Sequence, residues 1–160
     1  MLVEFKSLPE NARIWIYQCN RSFTDAELVE INEALSAFLT HWTAHGNDLN
    51  AGFEIRYNRF LVLGLDQSAQ GATGCSIDAS VHFIQQLEKK YGVTLLDKMN
   101  VSYKQGEYIA YKPLVDFKTM AKQKAVSKKT IVFNNLVATK EEYENHWEVP
   151  AEESWHARFL

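Results

Sequence analysis

The spacing of apolar residues predicts strands and helices in the order β-α-β-β-α-β. Residues 13–19 are mostly β-branched or aromatic, which favours a strand. Residues 52–66 predict a hairpin, because 53–57 alternate between apolar and charged side chains and 60–65 are almost all apolar. Two apolar stripes at helical spacing predict helices. They are Leu28, Ile31, Leu35, Phe38, Leu39 and Trp42, and then Ile77, Val81, Ile84, Leu87 and Tyr91.

Residues with capping chemistry mark the ends of these helices. Thr24–Glu27 forms a capping box, in which the threonine hydroxyl and the glutamate carboxylate each accept from a backbone N–H group. Gly46 and Asn47 are expected to end the first helix. The second helix is expected to begin near Cys75 and to end at Gly92.

The rest of the chain predicts one more hairpin and a set of additions. Met99–Tyr103 and Glu107–Tyr111 form the hairpin, Pro113 begins a third helix, and Thr130–Phe133 is a short strand. The element order matches the ferredoxin-like unit, an antiparallel sheet with two helices on one face. We therefore expect a single α+β domain over residues 1–160. Its sheet would be ferredoxin-like (β-α-β-β-α-β), with a C-terminal helix, strand and tail extension.

The composition indicates a globular protein, since 46% of the residues are hydrophobic and 23% are charged. Cys19 and Cys75 lack the close, even spacing of a disulfide framework. The N-terminus lacks the basic start and apolar run of a signal peptide, and no apolar stretch approaches the ~20 residues that cross a bilayer. We expect a cytoplasmic protein with no membrane partner.

Positive charge is concentrated in residues 89–130, which hold ten lysines and three acidic residues. Ferredoxin-like sheets can bind RNA, so the lysines of residues 104–129 offer a contact for RNA or another anion. The sequence pI of about 6.0 and the lack of an RNP pattern argue against a dedicated nucleic-acid-binding domain. A solvated lysine face explains the same pattern.

The segment Gly71–Asp78 places small residues between a strand and a helix, where anions are often bound. A Walker-type nucleotide site is excluded, because no lysine occurs between Asp66 and Gln86. Cys75 stands at the start of the predicted helix, where the helix dipole favours a thiolate, and it is therefore a candidate catalytic nucleophile. A loop that only connects a strand to a helix is the alternative for the segment, and a buried, inert cysteine is the alternative for Cys75.

His41 and His45 are four residues apart, which would place both on one face of the first helix. Two such imidazoles can bind zinc when more ligands converge, but no further motif completes a metal site. Together with Trp42, Ser76 and Asp78, they are candidates to line a ligand-binding pocket.

The tail after residue 145 is aromatic and acidic, with Trp147, Trp155 and a terminal Phe159-Leu160. Such large apolar groups are expected to dock on the protein's own surface. Docking on a second subunit is the alternative, because interfaces favour tryptophan, arginine and phenylalanine.

Five segments spread over the chain carry a resemblance to a known group of proteins. They are 42–46, 52–60, 74–80, 130–137 and 153–160. These segments resemble a family of short bacterial proteins that often carry the label "ABC transporter ATPase". The label implies an ATP-binding cassette, but this chain lacks a Walker A loop and a Ser-Gly-Gly-Gln signature and is shorter than a complete cassette. The resemblance therefore assigns no ATPase residue in this chain.

The residues support one leading hypothesis and two alternatives. The first is a ligand- or partner-binding protein without ATPase activity, with its pocket where the helix start at Cys75–Ser76 meets the His41–His45 end of the first helix. The second is an enzyme with Cys75 as nucleophile and one of the histidines as base. The third is an RNA or anion contact through residues 104–129. We expect no cofactor, a small ligand or a protein as partner, and a monomer or homodimer.

Overall fold

The computed structural model describes residues 1–160 and contains four α-helices and three antiparallel sheets. The mixed helix-and-strand class is therefore confirmed. The strands are β1 (Arg13–Gln18), β2 (Thr43–Ala44), β3 (Asn47–Asp48), β4 (Asn50–Arg56), β5 (Phe60–Asp66), β6 (Asn100–Gln105), β7 (Tyr108–Pro113), β8 (Ile131–Phe133) and β9 (Glu148–Pro150). The helices are α1 (Asp25–His41), α2 (Gly74–Tyr91), α3 (Leu114–Lys122) and α4 (Lys140–His146). None of the four helices has both the length and the apolar character of a membrane-spanning helix.

The chain divides into two compact units. The N-terminal unit comprises residues 1–96 and 138–141, and the C-terminal unit comprises residues 97–137 and 142–160. The single α+β domain expected for residues 1–160 stays a prediction.

The N-terminal unit is built on a three-stranded sheet with the order β1-β5-β4. Both helices pack on one face of it, where Leu35 of α1 and Ile84 of α2 are fully buried with Leu63 of β5. The N-terminal segment covers the other face. Phe5 and Leu8 lie there against Gly64, where a Cβ would come within 3.1 Å of the Phe5 ring.

The start of α1 and the end of α2 follow the capping chemistry of the sequence. Thr24 forms the predicted capping box with Glu27. Gly92 ends α2 in the left-handed conformation, with φ 62°. Both signals act within a few residues of the chain, which is why the sequence alone reveals them.

The C-terminal unit contains a four-stranded sheet with the order β7-β6-β8-β9. The strand after α2 is β6. In a ferredoxin-like fold, this strand would belong to the same sheet as β1. Instead, β6 pairs with β7 through the tight turn at Gly106, whose φ is 64°, and with β8. The strand order therefore does not confirm the ferredoxin-like topology.

The aromatic tail belongs to the core of the C-terminal unit. Trp147 is buried, and its Nε1 donates a 2.8 Å hydrogen bond to Oδ1 of Asn135. Trp155 and Phe159 pack against a cluster that includes the buried Phe117 of α3. The prediction that the tail docks on the protein's own surface is confirmed.

Candidate functional site

Three elements of the N-terminal unit meet around Trp42: the end of α1, the hairpin β2–β3 and the start of α2. Trp42 is buried, and its indole Nε1 donates a 2.8 Å hydrogen bond to the carbonyl oxygen of Ser76. The bond joins positions 34 residues apart in the sequence. We call this region the α1–α2 junction, because the bond fixes the end of one helix to the first turn of the other.

Aromatic rings hold the Trp42 side chain from several sides. The ring centroids of Phe38 and Trp15 lie 5.7 and 5.9 Å from that of Trp42, and Phe38 stacks on Phe83 at 4.6 Å. These separations are those of favourable aromatic pairs. Trp42 therefore has a structural role in the junction, and its indole N–H is already bonded to the Ser76 carbonyl oxygen.

The first helix ends at His41, so the predicted end at Gly46-Asn47 is wrong. Trp42 has an extended backbone, with φ −74° and ψ 124°. His45 and Gly46 form the left-handed turn of the hairpin β2–β3, with φ values of 53° and 76°. The glycine signal therefore marks a hairpin turn and not a helix end. Consequently His41 and His45 do not share a helical face.

The second helix begins at Gly74, with Thr73 as its N-cap. The Thr73 hydroxyl accepts from the Ser76 N–H at 3.2 Å, and the Thr73 N–H donates to the Ser76 hydroxyl at 2.7 Å. Ser76 is buried and also donates its hydroxyl to the Thr73 carbonyl. Its predicted ligand-binding role would therefore require the cap to open. The sequence pattern did not reveal this capping box, because serine replaces the usual Glu or Gln.

The other predicted site residues, His41, His45, Cys75 and Asp78, are exposed. Cys75 is a free thiol at the second position of α2. Asp78 is the fifth residue of the helix, and the first turn carries no acidic side chain. The N–H groups of Gly74 and Cys75 have no acceptor within the helix. The start of α2 thus combines a positive dipole end with an exposed thiol.

A second contact, which sequence reasoning missed, fastens the hairpin to the loop before α2. Asn47 Nδ2 donates to Gln70 Oε1 at 3.0 Å. Neither residue belongs to a recognisable motif, and only their approach in space identifies the pair.

The two cysteines differ in their surroundings. Cys19 is fully buried, and burial raises the pKa of its thiol although the nearby Arg21 opposes the shift. Cys75 is exposed, and no hydrogen bond joins its thiol to a histidine. No group of three or more His, Cys, Asp or Glu side chains is arranged to hold a metal ion.

The lysine-rich segment of the C-terminal unit is partly neutralised by its own neighbours. Lys104 Nζ lies 3.1 Å from a carboxylate oxygen of Glu148, and Lys129 Nζ lies 2.7 Å from one of Glu152. Two of the lysines proposed to contact RNA or an anion therefore already have acidic partners.

Comparison of the chain with known proteins gives no match. No protein-family model matches the chain, and no curated protein or solved structure matches it. Function must therefore be inferred from the residues and their geometry.

Proposed function

We propose that this chain is a ligand- or partner-binding protein without ATPase activity, and that its contact surface is the α1–α2 junction. The observation that supports the proposal is the hydrogen bond from Trp42 to Ser76. It holds two element ends together, and exposed polar groups lie on both. Binding sites are commonly built from a few polar groups on a rigid scaffold.

The start of α2 favours an anionic group on the ligand. The free N–H groups and the dipole of a helix N-terminus attract carboxylate and phosphate, and no acidic side chain opposes them in the first turn. The exposed His41 and His45, which lie outside α2, are hydrogen-bond donors that we propose also contact the anion.

The test is a thermal-shift titration of the wild-type protein with inorganic phosphate and with citrate. We expect a concentration-dependent rise in Tm that His41→Ala and His45→Ala weaken. His82→Ala is the matched control, because His82 is an exposed histidine further along α2. A Tm rise that is the same in all four proteins, or no rise in the wild type, would contradict the proposal.

The absence of ATPase activity is part of the same proposal. The loop before α2 offers no lysine for the terminal phosphates, since none occurs between Asp66 and Gln86. We also place the protein in the cytoplasm, because Cys19 and Cys75 are both free thiols.

A cysteine enzyme is the second candidate, and the exposure of Cys75 at the helix start favours it. The test measures alkylation of Cys75 at pH 7 in the Cys19→Ser background. A rate well above that of an unstructured cysteine peptide supports an activated thiolate. A rate equal to or below that of the peptide removes this candidate.

A further inference from the structure

Strand β4 has one fully paired edge and one partly paired edge. Its inner edge pairs with β5 along the whole strand. On the outer edge, the Val3 N–H donates to the Ala51 carbonyl at 2.9 Å, and the Ala51 N–H donates to the Met1 carbonyl at 3.2 Å. The outer edge therefore accepts a strand, and the N-terminal segment occupies its first part.

The outer edge continues beyond that segment at Phe53 and Ile55. Alternate residues of a strand direct their backbone groups to the same edge, so Phe53 and Ile55 point theirs the same way as Ala51. The N-terminal chain has left the edge there, because it crosses the face of β4 at Gly52, where a Cβ would lie 2.6 Å from the Val3 carbonyl oxygen and 3.0 Å from the Phe5 nitrogen. No backbone hydrogen bond from another segment reaches Phe53 or Ile55.

Open space lies beside this unpaired stretch. A groove of about 610 Å³ is lined by both apolar and charged residues: Leu2, Val3, Glu4, Phe5, Lys6, Phe53 and Glu54. Natural edge strands are usually protected by lysine, proline or a bulge. Residues 53–55 carry no lysine or proline, and the register with β5 is continuous through them, without a bulge.

The charges on either side of Ile55 identify the strand that fits. Glu54 precedes Ile55 and Arg56 follows it. If two copies pair antiparallel with Ile55 opposite Ile55, each Glu54 lies opposite the Arg56 of the other copy. Opposite charges in directly facing cross-strand positions stabilise a sheet, and like charges destabilise it.

Neighbouring registers are less favourable for two copies. Pairing centred on Glu54 would place the two Glu54 carboxylates opposite each other. Pairing centred on Phe53 would place the second copy's Ile55 opposite Ala51, where the segment Met1–Val3 already lies. The register centred on Ile55 avoids both conflicts.

We propose that the open edge of β4 binds the same edge of a second copy of this chain. The two strands pair antiparallel about a two-fold axis at Ile55, and the sheets join in the order β1-β5-β4-β4-β5-β1. Such an interface is self-complementary, as closed two-fold dimers require. The paired stretch is short, so the dimer is expected to dissociate on dilution.

Charge exchange tests this pairing by sedimentation equilibrium over a range of protein concentrations. Glu54→Arg and Arg56→Glu each place like charges opposite one another, and each is expected to raise the dimer Kd about tenfold or more. The double variant restores opposite charges and should return the Kd to within about threefold of the wild-type value. Glu33→Arg and Lys89→Glu make the same changes in net charge at exposed helix positions and serve as controls.

A second variant tests the backbone pairing itself. The Ile55 N–H points away from β5, so Ile55→Pro removes the outward hydrogen bond and leaves the pairing with β5 in place. Ile55→Ala is the control, because the Ile55 side chain packs against the core and its loss must be separated from the loss of the N–H. We expect the proline variant to be monomeric. A monomeric wild type, single charge variants that match their controls, a double variant that stays weak, or a dimer that survives Ile55→Pro would each overturn the proposal.

Discussion

The indole Nε1 of Trp42 lies 2.8 Å from the carbonyl oxygen of Ser76, so the residue after α1 is bonded to the first turn of α2. The bond is buried, and no solvent can replace either partner without opening the junction. This single contact sets the end of α1 and the position of the exposed groups that surround it.

Replacing Trp42 by phenylalanine is expected to destabilise the protein by about 2–3 kcal/mol, since the buried site loses both ring volume and a hydrogen bond. Urea denaturation measures the change. Trp15→Phe is the matched control, because Trp15 is only half buried and its indole makes no hydrogen bond in the structure. Equal losses in the two variants would show that the Trp42–Ser76 bond contributes nothing.

Gly52 is expected to tolerate no side chain, because the N-terminal segment crosses β4 there. A Cβ at this position would lie 2.6 Å from the Val3 carbonyl oxygen and 3.0 Å from the Phe5 nitrogen, both backbone atoms. We expect Gly52→Ala to destabilise the protein by about 1–3 kcal/mol in urea denaturation. Gly74→Ala is the control, since a Cβ there meets nothing within 4 Å. Identical unfolding midpoints would refute the close approach.

Glu27 is expected to link stability to acid pH. The Arg21 guanidinium donates to its carboxylate at 2.8 and 3.0 Å and, with the Thr24 N–H, lowers the pKa of Glu27 from 4.5 to about 2. Because the folded pKa is lower than the unfolded pKa, the stabilisation is complete above pH 4.5 and is lost as the pH falls toward 2.

The variant Glu27→Gln checks this assignment in urea denaturation at several pH values. It should be less stable than the wild type at pH 7, and the difference should shrink between pH 4.5 and 2. A difference that does not change with pH would mean that the ionised carboxylate is not what stabilises the helix start.

His156 is expected to make the stability of the protein depend on pH in a higher range than Glu27 does. Its Nδ1 lies 2.8 Å from the Ser154 hydroxyl, its ring stacks on Trp155 at 3.8 Å, and its buried Nε2 has no hydrogen-bond partner. Burial lowers the pKa of His156 from 6.5 to about 4. The unfolded chain therefore binds a proton more readily, and stability falls as the pH drops from 6.5 to 4.

The loss over that window is about 3 kcal/mol, given 1.36 kcal/mol per pKa unit. His156→Gln removes the titrating group, so the stability difference between wild type and variant should change by this amount between pH 7 and 4. Parallel curves for the two proteins would exclude His156 as the source.

Local chemistry made much of this fold predictable. Several turns and caps depend only on residues a few positions apart, so a short stretch of sequence predicts them. They are the capping box at Thr24–Glu27, the left-handed Gly92 and the turn at Gly106. The same locality explains the wrong end of α1. Gly46 supplies a positive φ equally well to a helix cap or to a hairpin turn.

Sequence reasoning named candidate site residues without their contacts in the fold. The sequence pointed to Trp42 and Ser76 as ligand-binding groups, whereas in the fold they bond to each other. The sequence did not decide whether Cys75 is buried or exposed, and in the structure it is exposed.

The sequence by itself determined the longer helices and strands, because periodicity and capping are properties of neighbouring residues. It did not predict the hairpin β2–β3, helix α4 or strand β9, which are short. Only the tertiary structure decided which strands share a sheet, where α1 ends and which polar groups remain open to solvent. Those outcomes depend on contacts between distant positions, such as Trp42 with Ser76 and β6 with β8. A local sequence pattern does not predict such contacts, because many different residues could pack against the same apolar side chain or accept the same hydrogen bond.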